Sequence, residues 1–218
     1  MHISTLTDLP QHYRRHHKLD LLQNKALLLS LILTSGLLLL AAGWFGAKFA
    51  LFIRPDSKQT LFPYEIWRVT SNSFSLMIPL IWLIGIGLAI PITLIVHEAI
   101  HGIFFWGFTH QVPRLGCNGL VAYTAPPNRL YILRDAYLII ALAPLVLLTI
   151  LGGLLLPFAP FNTLTTLISV LCLNTSGSAG DIAVALWLIR KPRTTLIEDR
   201  GTVVMAYTRV ISNPHTNS

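Results

Sequence analysis

Leu94–Trp106 reads LIVHEAIHGIFFW, two histidines and a glutamate inside a run that is otherwise almost wholly apolar. Ionisable groups placed among hydrocarbon cost free energy unless they are paired or bind a metal. Their presence in this run therefore needs a reason, and the flanking sequence defines the setting. The run lies in a longer apolar stretch from about Ser73 to Phe108, which Pro79, Pro91 and the Gly85-Ile86-Gly87 step are expected to break. Three more such stretches run from about Ala26 to Ile53, Ala136 to Phe158 and Leu164 to Ile189. Each has the roughly 20 apolar residues that a helix needs to cross a bilayer.

Composition agrees. Of the 218 residues, 53% are hydrophobic and 11% charged, against about 25% charged in soluble domains, and the mean hydropathy is +0.63. The expected fold is an all-α membrane protein of four transmembrane helices, with a short hairpin-like cytoplasmic loop between the second and third. The first stretch is too long for a cleaved signal peptide, whose apolar region is about 7–15 residues, and reads as an anchor.

Lysine and arginine set the orientation. Twelve fall in the N-terminal segment, the Trp106–Asp135 loop and the tail, while only Arg54, Lys58 and Arg68 flank the other side. Lys48, near the end of the first stretch, can snorkel outward. Both termini are thus expected in the cytoplasm of a multi-pass cell-membrane protein. The basic residues flank the spans without interleaved aromatics, so the net charge of +7 points to anionic lipid headgroups and not to nucleic acid. The His12–Asp20 segment, HYRRHHKLD, offers His12, His16 and His17 to a metal, or reads as a juxtamembrane anchor.

Apart from Lys48, the His, Lys, Arg, Asp and Glu residues inside the four stretches are His97, Glu98, His101 and Asp181. His97-Glu98-Ala99-Ile100-His101 is an H-E-x-x-H motif. On a helix, positions four apart stand one turn above each other, so two imidazoles can reach one Zn2+ at ~2.0–2.1 Å. Glu98 flanks the same face and is placed to take a proton from a metal-bound water. A catalytic zinc usually has a third protein ligand, for which His110, Asp135 and Asp181 are candidates. At 1.5 Å per residue, His101 and Asp181 each lie ~12–13 Å from the cytoplasmic ends of their stretches, and that shared depth favours Asp181. Asn174 to Asp181 reads NTSGSAGD, small side chains that allow close helix approach and backbone irregularity beside a cavity. Asn174 itself is a candidate donor to a substrate carbonyl or oxyanion.

H-E-x-x-H on one span with an Asp in a later small-residue segment resembles the intramembrane metalloproteases of the site-2 protease type. The chain is still more similar to a bacterial zincin peptidase family of unknown function. That family carries a Gly- and Pro-containing loop, an Ala-Pro span and an Asn…Gly-Asp segment, matched here by Gly116–Pro127, Ala143-Pro144 and Asn174…Gly180-Asp181. The resemblance covers about Ile92 to Tyr207 and implies His97, His101 and Asp181 as zinc ligands with Glu98 as catalytic acid/base. One departure is that site-2 proteases read Leu-Asp-Gly where this chain has Gly180-Asp181-Ile182. The chain then divides into a basic segment 1–25, a metallopeptidase-like membrane domain 26–190 and a tail 191–218.

The expected activity is hydrolysis of peptide bonds in a membrane or membrane-associated protein. A catalytically inactive scaffold and a metal or proton transporter are the alternatives, the transporter disfavoured by the lack of an inverted repeat. Gln111–Thr124 holds an Asn118-Gly119 hairpin signal directly after the H-E-x-x-H helix, and reads as a plain membrane-surface hairpin or as a strand edge for an extended peptide. Gly201–Val210 reads as a strand expected to pair with that hairpin. Reporter fusions after Arg68 and after Arg193 should report opposite sides of the membrane, and the same side for both would overturn this topology.

Overall fold

The computed structural model describes residues 5–61, 67–70, 73–76, 80–119, 121–127 and 129–209. Pro79 and Val210 lie outside them. In chain order the elements are β1 (Thr5–Leu6), β2 (Tyr13–Asp20), α1 (Lys25–Ile53), a short α2 (Lys58–Leu61), β3 (Trp67–Thr70), β4 (Ser73–Leu76) and α3 (Leu80–Thr109). They continue with β5 (Arg114–Asn118), β6 (Val121–Ala125), β7 (Tyr131–Leu133), α4 (Arg134–Leu155), α5 (Phe161–Gly177), α6 (Ala179–Ile189), β8 (Leu196–Asp199) and β9 (Val203–Arg209).

The chain is mostly helical, but the all-α expectation is incomplete. The strands form a five-stranded sheet in the order β1-β7-β8-β9-β2 and two hairpins, β3–β4 and β5–β6. Among the described residues, three helices are long and apolar enough to cross a membrane, or up to four spans if α5 and α6, a bent pair, count as one. Along α1, Leu29, Leu33, Leu37, Leu40, Phe45 and Phe52 are all exposed. A helix apolar on every side requires an apolar surrounding. Pro91 does not end α3, which runs on through it. One proline removes a single backbone hydrogen bond, a loss that long apolar helices accommodate.

Two compact units divide the chain, and the divisions fall inside continuous helices. The first comprises Met1–Leu31, Glu98–Ala143 and Gly180–Ser218. One face of its sheet, through Ile132, Ile197, Val204 and Ala206, packs on Phe105 of α3, Tyr137 and Ile140 of α4, and Val184 and Leu188 of α6. The other face gathers Leu196, Met205 and Tyr207 with Leu6, Tyr13 and Tyr131. Successive side chains of a strand point to opposite faces, so β8 at the centre of the sheet is buried on both. Edge strand β2 carries Arg14, Arg15 and Lys18, charges of the kind that keep an edge from pairing with other chains. Histidines 16 and 17 contact each other on this strand, Nδ1 to Nε2 at 2.9 Å.

The tail does form a strand, but β9 pairs with β8 and β2 and not with the β5–β6 hairpin. The alternation of Val204 and Ala206 with Met205 and Tyr207 suits a strand covered on both faces, a place the two-stranded hairpin does not supply. The hairpin instead meets the β8–β9 turn through one ring. Tyr123 lies so close to Gly116 and Gly201 that a Cβ on either would sit within 2.6 Å of it. Gly201 also has φ +90°, a conformation that other residues adopt only with strain.

The second unit comprises Ile32–His97 and Pro144–Ala179. Ala50, Leu156, Leu164, Ile168 and Cys172 form its core. The hydroxyls of Ser35 of α1 and Ser176 of α5 lie 2.7 Å apart, and each is also within donating reach of the other's backbone carbonyl. The Arg54 guanidinium donates to the Ala159 carbonyl and lies over the Phe161 ring.

In the first unit a buried carboxylate ties sheet to helix. Asp199 accepts from the Tyr137 hydroxyl and from the Gly201 N–H, both at 2.7 Å. Burial pushes this carboxyl up to about 6, against the opposing pull of those two donors on its charged form. A folded value above the unfolded one means that folding favours the protonated acid. The stability contributed is complete below pH ~4 and is lost as pH rises through about 6. Thermal unfolding in detergent should show a fall in stability across that window, and Asp199→Asn should flatten it; an unchanged slope would assign the dependence to another group.

Candidate metal centre

The site starts from α3, which forms because an unbroken apolar run satisfies its backbone internally. His97 and His101 stand one turn apart on it, each 8% exposed. Although the unit division passes between His97 and Glu98, one hydrogen-bonded helix carries both histidines. Asp181 comes from α6, and its position has a local cause. The Ser178 N–H and hydroxyl both bond back to the Asn174 carbonyl, closing α5, and a new helix begins at Ala179. Asp181 thus lies in a first helical turn, where the helix dipole and free N–H groups favour a carboxylate.

Ligand atoms of His97, His101 and Asp181 all lie within 4.8 Å of one another. His101 Nε2 is 3.5 Å from Asp181 Oδ1. Tetrahedral zinc with ligands at ~2.0–2.2 Å sets neighbouring ligand atoms ~3.3–3.6 Å apart, a spacing that this pair matches.

Each histidine is oriented from behind. His97 Nδ1–H donates to Asn174 Oδ1 at 3.0 Å, and His101 Nδ1–H donates to the Ile140 carbonyl at 3.0 Å. Both acceptors are oxygens, so Nδ1 carries the proton and the Nε2 lone pair is the one presented to a metal. The Asn174 amide orientation is set at its other end, where Nδ2 donates to the Pro144 carbonyl at 3.3 Å. Asn174 is 1% exposed. Offered by the sequence either as a donor to substrate or as a packing residue, it is engaged here at both ends of its amide by the protein.

Glu98 has its backbone carbonyl held by the Thr124 hydroxyl at 3.1 Å, which fastens β6 to α3. Its side-chain Oε2 is buried and has no hydrogen-bond partner. A buried carboxylate oxygen without a donor is costly, and a water carried by a neighbouring metal is the kind of group that would satisfy it. The donor set therefore fits zinc: two imidazole nitrogens and one carboxylate, with a further carboxylate beside them that is not part of the group.

The other candidates are not brought there. His110 is exposed beyond the end of α3 with φ +54°, and Asp135 pairs with Arg134 at 2.5 Å and Arg193 at 3.9 Å. His12, His16 and His17 belong to no metal-ligating group among the described residues. Two contacts escaped the sequence reading, the Thr124 tie and the Ile140 acceptor. A backbone carbonyl has no residue signature, and a threonine in a hairpin is ordinary.

Residues 90–196 match the family model described as "Putative zincin peptidase". The match contains the H-E-x-x-H part of α3, the hairpin, α4 and Asp181. No match is found among curated proteins or among solved structures.

Metal analysis of the purified chain should find one zinc, lost on His97→Ala and strongly weakened by Asp181→Ala. Wild-type zinc affinity in Asp181→Ala would remove Asp181 from the ligand set.

Proposed function

We propose that this chain is a membrane-embedded zinc metallopeptidase acting on peptide bonds of a membrane or membrane-associated protein. The observation that carries the reading is the meeting of His97, His101 and Asp181 beside a buried, partnerless Glu98 oxygen. The zincin peptidase family match supports the reaction class. The long apolar helices support the membrane setting. The sheet supports both termini lying on one side, since β2, β7, β8 and β9 come from the three segments richest in lysine and arginine and hydrogen-bond together.

In this mechanism His97, His101 and Asp181 would hold the metal. Zinc, when bound, supplies Lewis acidity that lowers the pKa of a coordinated water to about 7 and polarises a carbonyl. Glu98 acts as general base and then as general acid. Its carboxylate takes the proton released from the attacking water and delivers it to the nitrogen of the departing amine. Burial of Oε2 keeps bulk water from competing for that proton. The β5–β6 hairpin, fastened to the Glu98 carbonyl, offers an extended peptide a strand edge close to these groups.

A non-catalytic scaffold and a metal or proton transporter remain the competing classes, and Glu98 separates them. Glu98→Gln is nearly isosteric and removes no metal ligand, so the fold and the zinc should be retained while cleavage falls roughly 10²–10⁴-fold, the usual worth of a general acid–base group. In cells lacking the chain, an uncut membrane-associated protein should accumulate, and Glu98→Gln should not restore its cleavage. Full restoration would refute the hydrolase reading.

A further inference from the structure

Both orienting contacts behind the histidines lead to one residue of α4. We propose that Pro144 is the positioning residue of the metal centre, setting the rotation of His97 through its own carbonyl and that of His101 through the N–H that it lacks. The proposal rests on the zinc-peptidase reading and adds to it a residue that touches neither metal nor substrate.

Pro144 is fully buried in the interior of α4, Arg134–Leu155. A helical residue normally donates its N–H to the carbonyl four positions earlier, and proline cannot. The carbonyl so released is that of Ile140. An unpaired carbonyl in apolar surroundings is strongly disfavoured, and the donor that reaches it is His101 Nδ1–H, at 3.0 Å. An ordinary residue at 144 would bring its own N–H to Ile140 and compete with the imidazole for that oxygen.

The Pro144 carbonyl accepts from Asn174 Nδ2 at 3.3 Å, which turns Asn174 Oδ1 toward His97 Nδ1 at 3.0 Å. With the nitrogen end of the amide spent on Pro144, only the oxygen end can face His97, and an oxygen there admits only the tautomer with the proton on Nδ1. The two histidines thus present Nε2 for different local reasons that meet at one proline.

The test measures zinc affinity by chelator competition, and the visible absorption of the Co2+-substituted chain, in detergent. Pro144→Ala restores the backbone N–H; a second variant carries at position 144 the α-hydroxy acid counterpart of alanine, which has neither the ring nor the N–H. Loss of partners behind ligating histidines typically costs roughly 10–100-fold in metal affinity. Pro144→Ala should show a loss of that size and an altered Co2+ spectrum, while the metal-free chain unfolds at the same temperature or higher, because alanine suits a helix better than proline. The hydroxy-acid variant should recover wild-type affinity. Wild-type affinity in Pro144→Ala, or equal losses in both variants, would overturn the proposal. Should Pro144→Ala fail to fold, a folded, zinc-binding hydroxy-acid variant still supports it, and failure of both would assign Pro144 to ring packing alone. If the unaltered chain binds no zinc, the metal centre itself falls, a result distinct from any difference between the variants.

Discussion

Two imidazoles and two carboxylates placed on apolar helices impose the constraint on which the rest of the arrangement depends. In such surroundings a polar atom without a partner is expensive, so each of these side chains requires a matching group from another element. His97 requires an amide oxygen, His101 a carbonyl, and Asp181 a helix start and a facing imidazole. Much of what is irregular in the helices follows from those demands. The turn at Ser178 begins a new helix beneath Asp181, and the proline in α4 lies four residues after the carbonyl that holds His101. Helix irregularities that would only weaken a water-soluble bundle are here the sources of the site's partners.

Glu98 stands apart from this pattern. Its backbone is fixed through Thr124, yet one of its carboxylate oxygens is buried and unpaired. A group meant for structure alone would be expected to find a donor. The acid/base role proposed for Glu98 needs such an open acceptor position, and Thr124 holds the backbone behind it.

The sheet solves a different problem. A hairpin that follows the H-E-x-x-H helix would be marginal alone, since two strands bury little surface. It is steadied at two points, by the Thr124 hydroxyl on α3 and by Tyr123 against the β8–β9 turn. That turn is in turn held by Asp199, which bonds to Gly201 and to Tyr137 of α4. The C-terminal strands therefore bear on the surroundings of Glu98 from a distance in sequence of about a hundred residues, through packing and three hydrogen bonds.

By itself the sequence determined the long apolar helices, the histidine pair with its glutamate and the Asn118-Gly119 hairpin, and it put Asp181 forward ahead of His110 and Asp135. All of these depend on local patterns: runs of apolar residues, a four-residue spacing, a turn dipeptide, and residue depth counted along a helix. Tertiary structure alone decided the five-stranded sheet, because β1, β2, β7, β8 and β9 come from three separate segments and nothing in a short strand names its partner. It also supplied the partners of Asn174, a polar residue readable as a substrate donor or as packing, whose amide is bonded at both ends. Least legible of all was the carbonyl behind His101. The proline that frees it is plain in the sequence, but which donor fills the gap depends on another helix arriving at that point, and only the fold brings it there.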